Sequence, residues 1–513
     1  MLALHEALCF LRAYPDDAAL LARVIRELER FALRPDLRRL RDELVDSGIA
    51  GTGIHFPFHW VTARWLTQRW PGALRVDQAA IGERERERFE QLFPLLLPEA
   101  EWPDFELGLG PAEWLRRAKG PDETDAELLI GRVARLRAAP RVREALFHDL
   151  GLPLILEPGP DTPNRTSAWH ALGPPVFQTR SLSRARPTLR QVVRRRPRSV
   201  VGVSAREGQR LIELGREALL ARGRDLDGMV YASRDDVRVI DAGDGLTLAC
   251  WGLLPEHRAL VESIYVFLLL KNGVPIGYYQ AAVLFGSAEL NYHVFPSFRG
   301  VEAAEVYARA LGVVRHLFGC DAFSVHPYQL GHGNPDALAA GAFWFYRKLG
   351  FAPENPRVVA ELAREERRLA KSPRHRSSPA VLARLASDYL FFYLGRRRDD
   401  VGSKLVLSRF SLAVTDLLAR FGAARERGLA ELAREAARLT GTRLAALGAG
   451  ERLAFERWAP LILALPGVEA WTLAERRALG RVARAKGGSS EDEFVRRLDA
   501  HRRARRALLA LAR

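Results

Sequence analysis

The sequence predicts a central α/β or α+β domain flanked by N-terminal and C-terminal all-α regions. Three observations carry this expectation. Through the first 150 residues apolar side chains recur at spacings of three and four, as in Leu20, Leu21, Val24, Leu28 and Phe31, the stripe of an amphipathic helix. From Val201 the pattern changes to one helix followed by strands and hairpins. After Phe351 it returns to Ala-, Leu- and Arg-rich helix.

A chain of 513 residues exceeds what one hydrophobic core spans, which predicts about three domains. The expected organisation is a helical domain over 1–150, a Pro-rich then Arg-rich connector over 151–203, the α+β domain over 204–355 and a helical region over 356–513. Within the first, Phe56, Phe58, Trp60, Trp65 and Trp70 are large aromatics at helical spacing and read as core. The connector gathers Pro153, Pro158, Pro160, Pro163, Pro174 and Pro175, which breaks regular structure. The stretch from Thr162 through Arg206 holds ten arginines and no acid, including Arg194, Arg195, Arg196 and Arg198, and reads as an exposed connector beside acidic helices.

The formal charge is +16, and six of the 78 basic residues are lysine. That skew is what a GC-rich coding bias gives, so a nucleic-acid partner is not favoured, although the charge still attracts polyanions and anionic cofactors at low salt. Cys9, Cys250 and Cys320 form no disulfide framework. With no basic leader and no membrane-length apolar run, the chain is expected in the cytoplasm.

Inside 204–355, Ser204 and Glu207 form a capping box that opens a helix carrying Leu211, Leu214, Ala218 and Leu219 on one side. Val237–Ile240 and Leu246–Trp251 read as strands around a Gly-Asp-Gly turn. Ile264–Leu270 and Ile276–Phe285 flank Lys271-Asn272-Gly273, and Asn-Gly is the strongest short hairpin signal. A strand from Glu289 to Phe295 runs into Pro296-Ser-Phe-Arg-Gly300 and a helix to Phe318, with a further strand over Phe323–Val325. Asn355 and Pro356 cap a helix running to Lys371, and Ser490 with Glu493 forms a second box before a final basic helix.

A strand leading through Arg299 and Gly300 into a helix with small residues Ala303 and Ala304 presents unpaired N–H groups and a partial positive charge, which suits a diphosphate. This segment resembles the pyrophosphate-binding signature of the GNAT superfamily of N-acetyltransferases. Arg299 matches its opening position and Ala304 its closing one, while Glu302 replaces the central glycine. Ala342–Phe351, AFWFYRKLGF, resembles the second signature, a helix that presents a tyrosine before a Gly-Phe pair, and Gly273–Tyr278 resembles the central hairpin.

The resemblance covers about 150 residues and implies an α+β domain with a mixed central sheet and helices. It implies transfer of an acyl group from acetyl-CoA or another acyl-CoA, as co-substrate, to an amine on a small molecule or protein. It assigns Tyr346 as the acid that protonates the leaving thiolate. Glu289 is the candidate base, with His293 on the same strand face as its rival. Cofactor contacts are expected from Val294, Phe295, Arg299, Gly300, Val301, Ala303, Ala304 and Asn334, with the main-chain amides near Val294 and Phe295 polarising the thioester carbonyl. Asn334 serves equally as a helix cap. His316, Cys320, His326 and His332 fit no common zinc spacing, so no metal is expected. The alternative reading is a non-catalytic GNAT-like scaffold whose cofactor site Glu302 has closed, binding a protein or polyanion through its basic surface.

Overall fold

A computed structural model of the chain describes residues 1–101, 108–182, 185–300, 302–372 and 374–512. It is a mixed α/β structure that divides into two compact units. One comprises 1–178, 210–230 and 273–275, and the other 179–209, 231–272 and 276–513.

The first unit is mostly helical, and it also contains three short strands, β1 (Ile54–His55), β2 (Leu74–Val76) and β3 (Leu154–Leu156), ordered β1-β3-β2. These strands were not expected, because two or three residues are too few to show a two-residue period. Phe58, Trp60, Phe89, Phe93 and Trp114 form its core, with Phe56, Trp65 and Trp70 packed against them.

The second unit is organised by a nine-stranded sheet. Its strands are β4 (Ser199–Gly202), β5 (Ala232–Gly243), β6 (Leu246–Leu253), β7 (Ser263–Lys271), β8 (Val274–Leu284), β9 (Ser287–Val294), β10 (Ala322–Val325), β11 (Ala352–Pro353) and β12 (Leu390–Tyr393). They lie in the order β11-β12-β10-β9-β8-β7-β6-β5-β4. The hairpin turns form where their residue types require: Asn272 and Gly273 have φ of 48° and 77°, the pair of left-handed residues that a tight turn needs. β8 and β9 pair antiparallel, whereas β9 and β10 pair parallel, joined by the helix Ala303–Phe318. A parallel neighbour needs such a crossover, and the crossover brings a helix start to the end of β9.

Two strands fall outside the span expected to hold the sheet. β4 comes from the Arg-rich connector and pairs with β5. β12 comes from the region expected to be all helical and pairs antiparallel with both β10 and β11. The remaining C-terminal chain is helical, and its last helix divides into Asp492–Ala500 and Arg502–Ala512. At that break His501 Nδ1 accepts from Ala504 N–H at 3.2 Å. The expected box of Ser490 and Glu493 does not form. Ser490 Oγ accepts from Asp492 N–H at 3.2 Å and also meets Arg238 at 2.9 Å and Tyr265 at 3.1 Å, both of which bond to the buried acid Asp236.

Candidate functional site

The site is built where the parallel pair ends. β9 and β10 are in register only from Ser287 to Glu289, opposite Ala322 to Ser324. β10 stops at Val325 while β9 continues to Val294. Past Glu289, β9 therefore runs on for about 16 Å, at roughly 3.3 Å per residue, and no strand among the described residues pairs with that edge. Phe295 N–H is bonded to Ile276 O on the β8 side at 2.9 Å. Strand amides alternate in direction, so that of Val294 points to the open edge, and of the two expected carbonyl donors it is the available one.

The two faces of β9 carry different chemistry. Tyr292 faces the crossover helix, its hydroxyl donating to Ala303 O at 3.4 Å and its ring meeting Tyr307 edge-on at 4.8 Å. Side-chain alternation then places Glu289 and His293 on the opposite face, where the His293 ring lies 5.4 Å from that of Tyr278.

At the start of the Ala303–Phe318 helix, Glu302 occupies the cap position with φ 48° and makes no side-chain cap bond. Its carboxylate turns to Lys271 Nζ at 3.3 Å, and the same ammonium donates to Asp244 O at 2.8 Å. Burial lowers the Lys271 pKa, against which Glu302 works to keep the ammonium charged. The leading N–H groups of the helix, including those of Ala303 and Ala304, are thus left without a side-chain acceptor among the described residues. Gly300 is exposed, with φ 84° and nothing within 4 Å of where a Cβ would stand, so backbone there is open to a ligand. Arg299 is exposed, and its Nε donates to Val294 O at 3.1 Å. Val301 lies outside the described residues. Asn334 is a local cap: its Oδ1 accepts from Ala337 N–H and its Nδ2 donates to Tyr328 O, both at 3.2 Å.

Tyr346 stands on the Ala342–Leu349 helix, buried to 3% exposure, on the crossover-helix side of the sheet. Its ring meets Tyr307 at 5.4 Å and Phe351 at 6.0 Å, so Tyr292, Tyr307 and Tyr346 form a continuous aromatic path from β9. Burial pushes the Tyr346 phenol well above its ordinary value, which keeps it protonated and able to donate. The Tyr307 hydroxyl is buried with no hydrogen-bond partner among the described residues.

Glu289 is the last β9 residue paired with β10 and stands at the apex of the gap. Burial, followed by the nearby charge of Glu262, pushes its carboxyl up to about 7, against a hydrogen bond from Tyr389 that favours the anion. A carboxyl so placed exchanges a proton near neutral pH. Sequence reasoning missed Tyr389, which lies 100 positions downstream just before β12. The apolar and aromatic run Tyr389-Leu-Phe-Phe-Tyr393 was the signal for that strand.

Among the described residues no cluster of three or more His, Cys, Asp or Glu is arranged to hold a metal ion, and no helix is long and apolar enough to cross a membrane. No family profile, curated protein or solved structure matches the chain.

Proposed function

We propose that residues 204–355, completed by the strand at Leu390–Tyr393, act as an acyl-CoA-dependent N-acyltransferase. The observation that carries the reading is the placement of Glu302. The one residue that breaks the phosphate-binding pattern directs its carboxylate to Lys271 and leaves the helix start uncapped. Acetyl-CoA or another acyl-CoA would supply the activated acyl group. The N–H groups of Ala303 and Ala304 would hold its diphosphate, helped by the exposed Arg299. The Val294 N–H, at the unpaired edge of β9, would hold the carbonyl oxygen. Glu289 would take the proton from the acceptor amine, and Tyr346 Oη would hold the proton destined for the sulfur. Base and acid lie on opposite faces of the sheet, and the gap between β9 and β10 is the route by which both reach one reacting centre.

The test is binding followed by turnover. Acetyl-CoA at 100 times its Kd should stabilise the native chain by about 2.7 kcal/mol, visible as a rise in melting temperature. Free thiol should then appear when amines are added. No rise at millimolar acetyl-CoA would remove the cofactor site.

A second reading has its own observation: Arg194, Arg195 and Arg196 are all exposed. Here the domain is a non-catalytic scaffold that holds a polyanion on this surface. Its heparin or RNA binding should fall steeply with salt and diminish when the three are neutralised. Salt-independent or unaltered binding would exclude it.

A further inference from the structure

β4 ends one side of the nine-stranded sheet. It is hydrogen-bonded to β5, and no strand among the described residues pairs with its other side. Val203 N–H donates to Val237 O at 3.2 Å. Backbone direction alternates along an antiparallel strand, so Val201 also turns to β5, whereas Val200 and Gly202 turn their N–H and C=O groups to the free edge. Ser199, Val201 and Gly202 are exposed, Val201 to 55%, and nothing lies within 4 Å of where a Gly202 Cβ would stand. Val201 sits opposite the half-buried Val239, which gives this edge a short apolar strip.

Edge strands commonly carry a charge or a proline, because their open N–H and C=O groups template another strand. Neither occurs in β4, which reads Ser-Val-Val-Gly with two β-branched residues at its centre. The charge stands beside it instead. Arg194, Arg195 and Arg196 lie just before the strand, are exposed, and make no ion pair among the described residues. Arg198, by contrast, already faces Asp244 at 3.6 Å. Unpaired cations beside an open strand edge repel a second copy of the same edge and attract an acidic chain.

We infer that β4 is a docking edge for an acidic protein segment. The segment adds to the sheet as a further antiparallel strand, bonded to the free groups of Val200 and Gly202, with an apolar side chain covering Val201. Its acids follow the paired residues, because the C-terminal end of an antiparallel strand lies beside the start of β4, where Arg194, Arg195 and Arg196 stand. The inference rests on neither reading of the function: a bare polyanion would use the arginines without the strand.

The experiment is fluorescence anisotropy of labelled peptides titrated with the full chain. One peptide alternates Thr and Val and ends in a run of Glu. Its control has the same charge and carries proline at the positions whose N–H groups would pair. The first should bind about tenfold more tightly or better, the scale of a few strand hydrogen bonds, and should weaken as salt rises. Val200→Pro removes an N–H from the free edge and no bond to β5, so it should abolish the preference. Changing Arg194, Arg195 and Arg196 together to Gln should weaken the first peptide by about tenfold. Equal binding of the two peptides by the wild-type chain, or binding of neither, would overturn the inference whether or not the variants fold. So would a preference retained in Val200→Pro. Equal peptide binding alongside tight heparin or RNA binding would give the arginines to a polyanion, and a dimer of the chain that Val200→Pro dissolves would give the edge to a second copy; either overturns it.

Discussion

Glu302 meets Lys271 at 3.3 Å, and this pair determines what the start of the Ala303–Phe318 helix offers a ligand. A carboxylate turned back on the helix would satisfy its partial positive charge, whereas one bound to an ammonium does not. Replacing Lys271 with Met should therefore release Glu302 toward the helix and weaken acetyl-CoA binding by about two- to thirtyfold, given the ~0.3–2 kcal/mol typical of charges at helix ends. Glu302→Gln in that background should recover the loss. Calorimetry on the three proteins checks this, and identical affinities would separate the pair from the cofactor site.

The same residue is conformationally costly. Glu302 has φ 48°, where a non-glycine residue loses roughly 1–2 kcal/mol, and a part-exposed ion pair returns about 0–1 kcal/mol. Glu302→Gly should leave the chain equally stable or up to about 1 kcal/mol more stable in urea. A clear loss of stability would mean the ion pair outweighs the strain.

For Glu289 the pH dependence has a definite sign. Its folded pKa of about 7 is raised above the ordinary carboxylate value by burial and by Glu262, with Tyr389 opposing. The folded chain thus binds a proton that the unfolded chain has released between these two values, and stability is lost as pH rises through that window. Glu289→Gln should stabilise the chain by roughly 1–3 kcal/mol at pH 8 and change little at pH 4. The same change should lower kcat of acyl transfer by about 10²–10⁴-fold, and wild-type kcat/KM should rise as pH passes 7. Stability curves at the two pH values and a rate profile test the two halves separately.

Local chemistry explains which parts of this arrangement were legible. Asn272-Gly273, Asn355-Pro356 and Ser204 act within a few residues, and each does in the structure what its type dictates: a left-handed turn, a cap to Arg357 N–H at 3.0 Å, a cap to Glu207 N–H at 3.3 Å. Tyr346 and Glu289 were singled out because a motif and a strand period pointed at them. Tyr389 and Lys271 gain their roles from tertiary neighbours, respectively Glu289 and Glu302. Ser490 shows a mixed case: its hydroxyl accepts locally from Asp492 N–H, yet Tyr265 and Arg238, distant in sequence, share it, and the expected box with Glu493 does not form.

Two tyrosines should separate chemistry from stability. Tyr346→Phe should lower kcat by about 10²-fold while leaving acetyl-CoA binding intact, since nothing assigns its hydroxyl to cofactor binding. Tyr307→Phe removes a hydroxyl that is buried without a partner among the described residues, so it should raise stability by about 1 kcal/mol. Burst kinetics on the first variant and a urea titration on the second supply the measurements. A fall in acetyl-CoA affinity in the first would move Tyr346 from acid to cofactor contact.

The strongest stability effect is expected at a group that no local pattern marks. Glu491 is fully buried, paired with Lys486 and 3.7 Å from Arg258, whose side chains are 3% and 1% exposed. Ser263 donates to the same carboxylate at 3.1 Å, tying the loop before the Asp492–Ala500 helix to the first residue of β7. Removing one member of a buried pair strands the other charges in a medium that cannot solvate them, at about 3–5 kcal/mol. Glu491→Gln keeps the shape and removes the charge, so it should cost that much in urea-induced unfolding, whereas replacing the exposed Glu493, paired to Arg497 on the helix surface, should cost less than about 1 kcal/mol. Similar losses for the two would show that the buried cations find solvent, and that this anchor between the sheet and the C-terminal helices is weaker than its geometry implies.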